Sequence, residues 1–237
     1  MTPLYDDPDY IADVRGHRNA IWSDAATAML ERTADIPDGA AYVRLRRVKA
    51  SHKGIGAHRQ IREVLAEGMD QAFFEEICAL TNLEVLIATY PVTAKDLSGI
   101  RALTKLHTVV LDSPRNISDF TPLLELPNLR NLFIENAKHL TDLEIFREAH
   151  HLRVLGVEGT MSSNQKLASV APLAGLRGLE ALFLISVRLA DKDLTPLARC
   201  PDLRLLSCAR FAPKTAFAAL QAAAPDLACK WCDRYDI

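Results

Sequence analysis

Four groups of residues have types and spacings that could do chemistry. Cys229-Lys-Trp-Cys232 spells C-x-x-C, the spacing of a redox pair or of half a metal site. Ser51-His-Lys-Gly-Ile-Gly-Ala-His-Arg59 is glycine-rich and basic, and could aim backbone N–H groups at a phosphate. His150-His151 sets two imidazoles side by side, and Asp112, Glu135 and Glu158 recur every 23 residues as potential oxygen ligands for a divalent cation. Each falls short of a full signature. The loop lacks both the third glycine of a dinucleotide fingerprint and the Gly-Lys-Ser/Thr ending of a P-loop, so a connector is expected there, with His52 and His58 left open. Adjacent histidines before a strand diverge, and three carboxylates alone lack the loop carbonyls that complete a calcium site. No Gly-x-Ser-x-Gly elbow is present. The expectation is therefore no catalytic residue, no cofactor and no metal.

The elements that position these groups follow from composition and then from a repeat. A chain of 237 residues, 49% hydrophobic and 24% charged, can bury a core, which excludes a disordered protein. A net charge of −2 gives no overall basic footprint for nucleic acid. The acidic start, MTPLYDDPDYIADVRGHRNAIW, lacks a basic stretch leading into an apolar one, and no window holds 18 uninterrupted apolar residues. The reading is cytoplasmic, with no membrane partner. Cys78, Cys200, Cys208, Cys229 and Cys232 make an odd set that a reducing compartment keeps as thiols.

Self-similarity dominates the rest. LEVLIA starts at 83, LHTVVL at 106, LRNLFI at 129, LRVLGV at 152, LEALFL at 179, LRLLSC at 203 and LACKWC at 227, with a degenerate AAYVRL at 40. Alternation over L-x-L is a strand period, and turns the first, fourth and sixth positions inward. Between strands, SDFTPLLEL, TDLEIFREA and KDLTPLARC read as short helices whose first N–H groups are capped by Asp119, Asp142 and Asp193. One strand plus one short helix cannot hide its apolar face until a neighbour stacks on it.

Period and phrasing carry a resemblance. Seven in-phase L-x-x-L-x-L copies resemble bacterial leucine-rich-repeat proteins, and the Leu-Thr-Asn-Leu and Asp-x-x-Pro-Leu phrases are similar to internalin-type repeats, over roughly residues 80 to 235. The resemblance implies an α/β leucine-rich-repeat solenoid, a horseshoe with a concave parallel sheet and short convex helices. One departure stands out. The family's asparagine eight residues after the first Leu is replaced by Pro91, Pro114, Ala137, Thr160, Val187, Phe211 and Tyr235, so its hydrogen-bonded ladder is expected to be missing.

The ends differ from the middle. Residues 1–79 are read as a helical N-terminal cap containing a degenerate strand near 40–48, with 17–33 and 59–79 helical and Ile61, Val64, Leu65, Phe73, Phe74 and Ile77 buried. Residues 80–237 are read as about seven repeats ending in a capping repeat, with Lys230 at an inward strand position. That register sets Cys229 outward and Cys232 inward on one strand, which argues against pairing.

Outward strand positions then form the concave face. The fifth column includes Ile87, Val110, Phe133, Phe183 and Trp231, an apolar stripe out of place on a solvated sheet. The seventh includes Asp112, Glu135, Glu158 and Ile185, and stacked carboxylates repel by about 1–3 kcal/mol per pair unless a basic partner or flanking arginines neutralise them. With Asn131, two residues before Phe133, these ten residues are the expected partner-binding surface of a non-enzymatic protein-interaction module. An immunity or antitoxin-like inhibitor of a basic effector, an adaptor using its N-terminal cap, and a phosphate-ligand enzyme are the alternatives, and self-association through the stripe stays open. If the stripe is exposed, Phe133→Ala with Phe183→Ala abolishes partner pull-down while barely moving the melting temperature.

Overall fold

The fold is that of a computed structural model describing the backbone of residues 3–23 and 28–236, and the side chains of residues 3–15 and 28–236. Helix α1 spans Pro8–Ser23. The chain divides into two compact units, His17–His139 and a second made of Met1–Gly16 with Leu140–Ile237. Within each unit the strands pair in parallel with their neighbours.

In His17–His139 the strands are β1 (Met29–Leu30), β2 (Tyr42–Arg46), β3 (Glu63–Glu67), β4 (Val85–Thr89), β5 (Thr108–Asp112) and β6 (Asn131–Glu135), each paired in parallel with the next. Helix α2 (Gln71–Cys78) follows β3, and the short α3 (Thr121–Leu124) follows β5. The sixth positions Leu45, Ala66, Ala88, Leu111 and Ile134 stack as a dry column, none more than 1% exposed. Asp70 accepts the Phe73 N–H at 3.0 Å to start α2, whose other face buries Phe73, Phe74 and Ile77.

This unit corrects the reading of 59–79 as one helical cap. Ile61, Val64 and Ala66 occupy the first, fourth and sixth positions of a full repeat whose strand is β3, and only the segment after Asp70 is helical. Isoleucine, valine and alanine stand in place of the leucines there, and VLAEGMDQAFFEEI carries a period that fits a helix equally well. Of the expected helix over 17–33, the backbone is helical to Ser23 and 24–27 lie outside the described residues, whereas Met29 and Leu30 form β1.

In the second unit β7 (Val154–Glu158), β9 (Ala181–Leu184) and β11 (Leu205–Cys208) continue the same register, and β8 (Gln165–Leu167) pairs in parallel with β10 (Val187–Leu189) as a separate two-stranded sheet. Helices α4 (Lys214–Ala223) and α5 (Lys230–Asp233) close the chain. The aspartates act as anticipated. Asp119, Asp142 and Asp193 accept the N–H two residues on, at 2.9, 3.1 and 2.9 Å. The expected last strand at 227 is reduced to a bridge between Ala228 and Leu205, and the chain then turns helical, so Lys230 is solvent-exposed rather than inward.

The turns leaving the strands show what replaces the asparagine ladder. Ser113, Asn136 and Ser186, one residue earlier than the family's position, adopt left-handed φ of 57°, 55° and 53°. Asn136 Nδ2 donates to Ser113 Oγ at 3.1 Å, and Ser113 Oγ donates to Asp112 at 2.8 Å. A short polar ladder thus exists, displaced by one residue.

Because the inward columns leave no slack, Leu132→Ala, at a fully buried fourth position, is expected to lower stability by about 2–5 kcal/mol in urea titration. A loss under about 1 kcal/mol would contradict the stacking described.

Candidate functional site

The expected apolar stripe is not a surface. Ile87, Val110, Phe133 and Phe183 are 4, 3, 2 and 0% exposed. In the second unit the cover is the chain's own N-terminus. The Arg15 guanidinium lies 4.3 Å from the Phe183 ring centroid and pairs with Glu158, itself 2% exposed. Asp13 pairs with Arg153 at 2.6 Å, and Arg153 with Glu180 at 2.8 Å. Arg204 stands over the Tyr10 ring at 5.7 Å. Before the helix, Tyr5 donates to Asp233 at 2.6 Å and Asp6 pairs with Arg234 at 3.1 Å. The N-terminal segment therefore starts against α5, at Tyr5 and Asp6, and crosses to the outward positions of β7 and β9, at Asp13 and Arg15. A sheet face carrying Phe183 is satisfied only by such a cover.

The acidic column divides accordingly. Glu158 belongs to the buried interface with Arg15, whereas Asp112 and Glu135 sit paired in register and half-buried. Asp112 accepts from Ser113 Oγ at 2.8 Å and from the Tyr90 N–H at 3.4 Å. Asn131 Nδ2 donates to Thr108 at 3.1 Å on the neighbouring strand. Near these residues a cleft of about 260 Å³ is lined by Met29, Arg44, Leu65, Glu67, Thr89, Tyr90 and Asp112. Ile185 is 38% exposed. Trp231 is not on a strand. It lies half-buried on α5, its indole N–H donating to the Cys208 carbonyl at 2.7 Å with Arg210 at 5.6 Å from its ring.

The glycine loop also has an occupant. Gly54, at φ 90°, and Gly56 turn their N–H groups onto one oxygen of Glu76, at 3.2 and 3.4 Å. The anion in this cradle is a side chain of α2, so the phosphate reading loses its donors. His52 is 3% exposed and stacks on Phe73 at 5.3 Å, and burial pushes its pKa down. His150 is engaged by the Arg177 N–H at 3.2 Å and faces Glu148 at 3.3 Å. Among the described residues, no group of three or more His, Cys, Asp or Glu is arranged to hold a metal ion.

One surface escaped the sequence reading. A groove of about 650 Å³ runs along β8 and β10, lined by Thr141, Asp142, Leu167, Ala168, Leu189 and Ala190 and walled by Lys166, Arg188 and Lys192. Lys166 and Arg188 stand side by side in register, both exposed, and neither joins an ion pair among the described residues. Lys192 instead donates to the Leu189 carbonyl and to that of Phe211, the latter at 2.8 Å. Cations spaced one per repeat in 165–167 and 187–189 were visible, but those segments lie outside the L-x-x-L-x-L blocks that guided the columns.

No protein-family model matches the sequence, and no curated protein matches it. Solved structures similar in fold include two internalins. Internalin C2 of Listeria monocytogenes str. 4b F2365 is 20% identical with a TM-score of 0.51, covering 85% of this chain and 79% of that one. The internalin inlF of the same strain is 16% identical with a TM-score of 0.50, covering 78% of this chain and 59% of that one. At these identities the likeness is one of fold, a leucine-rich-repeat solenoid of bacterial type.

Burial reverses the earlier expectation for the phenylalanines. Phe183→Ala is now expected to cost about 3–5 kcal/mol, and Arg15→Ala, which removes the counter-charge beside buried Glu158, about 3–5 kcal/mol. Urea unfolding of both variants checks this; melting temperatures unchanged from the parent would restore the exposed-stripe picture.

Proposed function

We propose that this chain, built on a leucine-rich-repeat solenoid, is a non-enzymatic protein-binding module that takes an acidic, partly apolar segment of its partner into the β8–β10 groove. The observation that carries the reading is the placement of Lys166 beside Arg188. Two like charges one strand apart repel by about 1–3 kcal/mol at effective dielectrics between water and 20. Nothing within the fold requires that cost, and a carboxylate-bearing partner converts it into attraction. The apolar floor supplies contact area, and the flanking cations supply orientation and rate.

The concave-face version is weaker than the sequence suggested. Its phenylalanine anchors are buried, and the residues meant to dock an adaptor's second partner are engaged through Tyr10, Asp13 and Arg15. Self-association through the apolar stripe loses its motive for the same reason. A second reading, capture of a basic segment as in an inhibitor of a basic effector, is favoured by half-exposed Asp112 and Glu135 beside the cleft that carries Tyr90, 63% exposed. For location, no helix among the described residues is long and apolar enough to cross a membrane. We place the protein in a reducing, cytoplasmic setting because its odd set of five cysteines includes no disulfide.

Fluorescence anisotropy with labelled Glu/Leu-rich and Lys/Leu-rich peptides separates the two. The groove reading predicts salt-sensitive binding of the acidic peptide, weakened at least about tenfold by Lys166→Glu with Arg188→Glu, and an undiminished melting temperature. Binding of the basic peptide alone, lost in Asp112→Lys, would move the site to the cleft. Acidic-peptide binding that ignores the groove variant would overturn the proposal.

A further inference from the structure

The closing repeat holds chemistry that the binding reading does not use. Ala228 bridges to Leu205, accepting the Leu206 N–H and donating to Arg204, both at 3.0 Å. This delivers Cys229, fully buried, beside the end of β11, where Cys208 stands. The chain then enters α5, and the Cys232 N–H bonds the Cys229 carbonyl at 3.0 Å. Cys229 is the extended residue that precedes α5 and Cys232 is in its first turn, so the Cys229 sulfur faces the Cys232 thiol and N–H instead of the opposite side of a strand. The Trp231 indole, bonded to the Cys208 carbonyl at 2.7 Å, fastens the turn to β11.

The three thiols are consequently coupled around Cys229. Its pKa is held well below the ordinary thiol range by hydrogen bonds from the Cys208 thiol, then from the Cys232 thiol, assisted by the Cys232 and Trp231 N–H groups. Cys208 and Cys232 move the opposite way, each first through its bond to Cys229. The cluster is not arranged as a metal site.

We propose that Cys229 and Cys232 form a reversible disulfide site, oxidised by small-molecule disulfides of the glutathione class. Cys232 is half-buried and is the point of entry. Its proton passes to solvent as its sulfur attacks the oxidant, forming a mixed disulfide and releasing one glutathione thiolate. Cys229, the thiol held as the lower-pKa partner, then attacks the Cys232 sulfur as a thiolate and expels the second glutathione thiolate. Two protein thiols are oxidised by two electrons, and one small disulfide is reduced to two thiols.

Trypsin separates the partners, since cleavage after Lys230 leaves Cys229 in Thr215–Lys230, Cys232 in Trp231–Arg234 and Cys208 in Leu205–Arg210. The full chain is equilibrated with oxidised and reduced glutathione, quenched in acid, alkylated, digested and analysed by mass spectrometry. The expected product joins Thr215–Lys230 to Trp231–Arg234, disappears with dithiothreitol, and still forms in Cys208→Ser. A link through Cys208, glutathione adducts without an internal link, or no oxidation up to a tenfold excess of the oxidised form would each overturn the proposal.

Discussion

A parallel strand buried on both faces is the constraint from which the rest of this structure follows. The inward face is met by stacking, repeat on repeat, and any chain with a leucine-rich period solves that problem the same way. The outward face is the harder one. In the unit that contains β7, β9 and β11, Phe183 and Glu158 occupy that face and are buried there by Arg15. One guanidinium meets both needs, lying over the aromatic ring and pairing with the carboxylate, as a planar cation with several donors can. Asp13, Tyr10 and the Tyr5–Asp233 contact extend the same interface. The N-terminal segment is structural cover for these strands.

That assignment changes where function can reside. Residues enlisted to close the concave face cannot also offer themselves to a partner without unfolding the cover. Exposed cations lie elsewhere, on β8 and β10, and a mostly buried group of thiols lies at the closing turn. Both features sit in segments that interrupt or end the repeat. Loops and termini on a rigid scaffold are where binding chemistry commonly gathers, since their side chains are free of packing duty.

Much of this was legible in the sequence. The leucine register placed Leu111, Ile134 and Leu184 in the core, because a period-two pattern leaves a strand one choice of face. The aspartate turns were legible because a short carboxylate reaches the N–H two residues on. Three things were not. The repeat of β3 was hidden because Ile61, Val64 and Ala66 stand where leucines are expected, and the column needs only apolar volume. The Cys229–Cys232 turn was hidden because LACKWC carries the strand register, yet only Ala228 bridges Leu205 and Lys230–Asp233 is helical. The cover was hidden because Arg15–Glu158 joins residues 143 apart, a separation that no local pattern encodes.

The most direct test of the account is amide hydrogen exchange across residues 8–15 compared with β9. A sealing helix exchanges only when the strands beneath it open, so its N–H groups should show protection within about tenfold of Leu182 and Phe183 and lose it together with them as urea is added. Fast exchange in 8–15 while β9 stays protected would mean that the helix rests loosely on the sheet, and that the concave face is open to a partner after all.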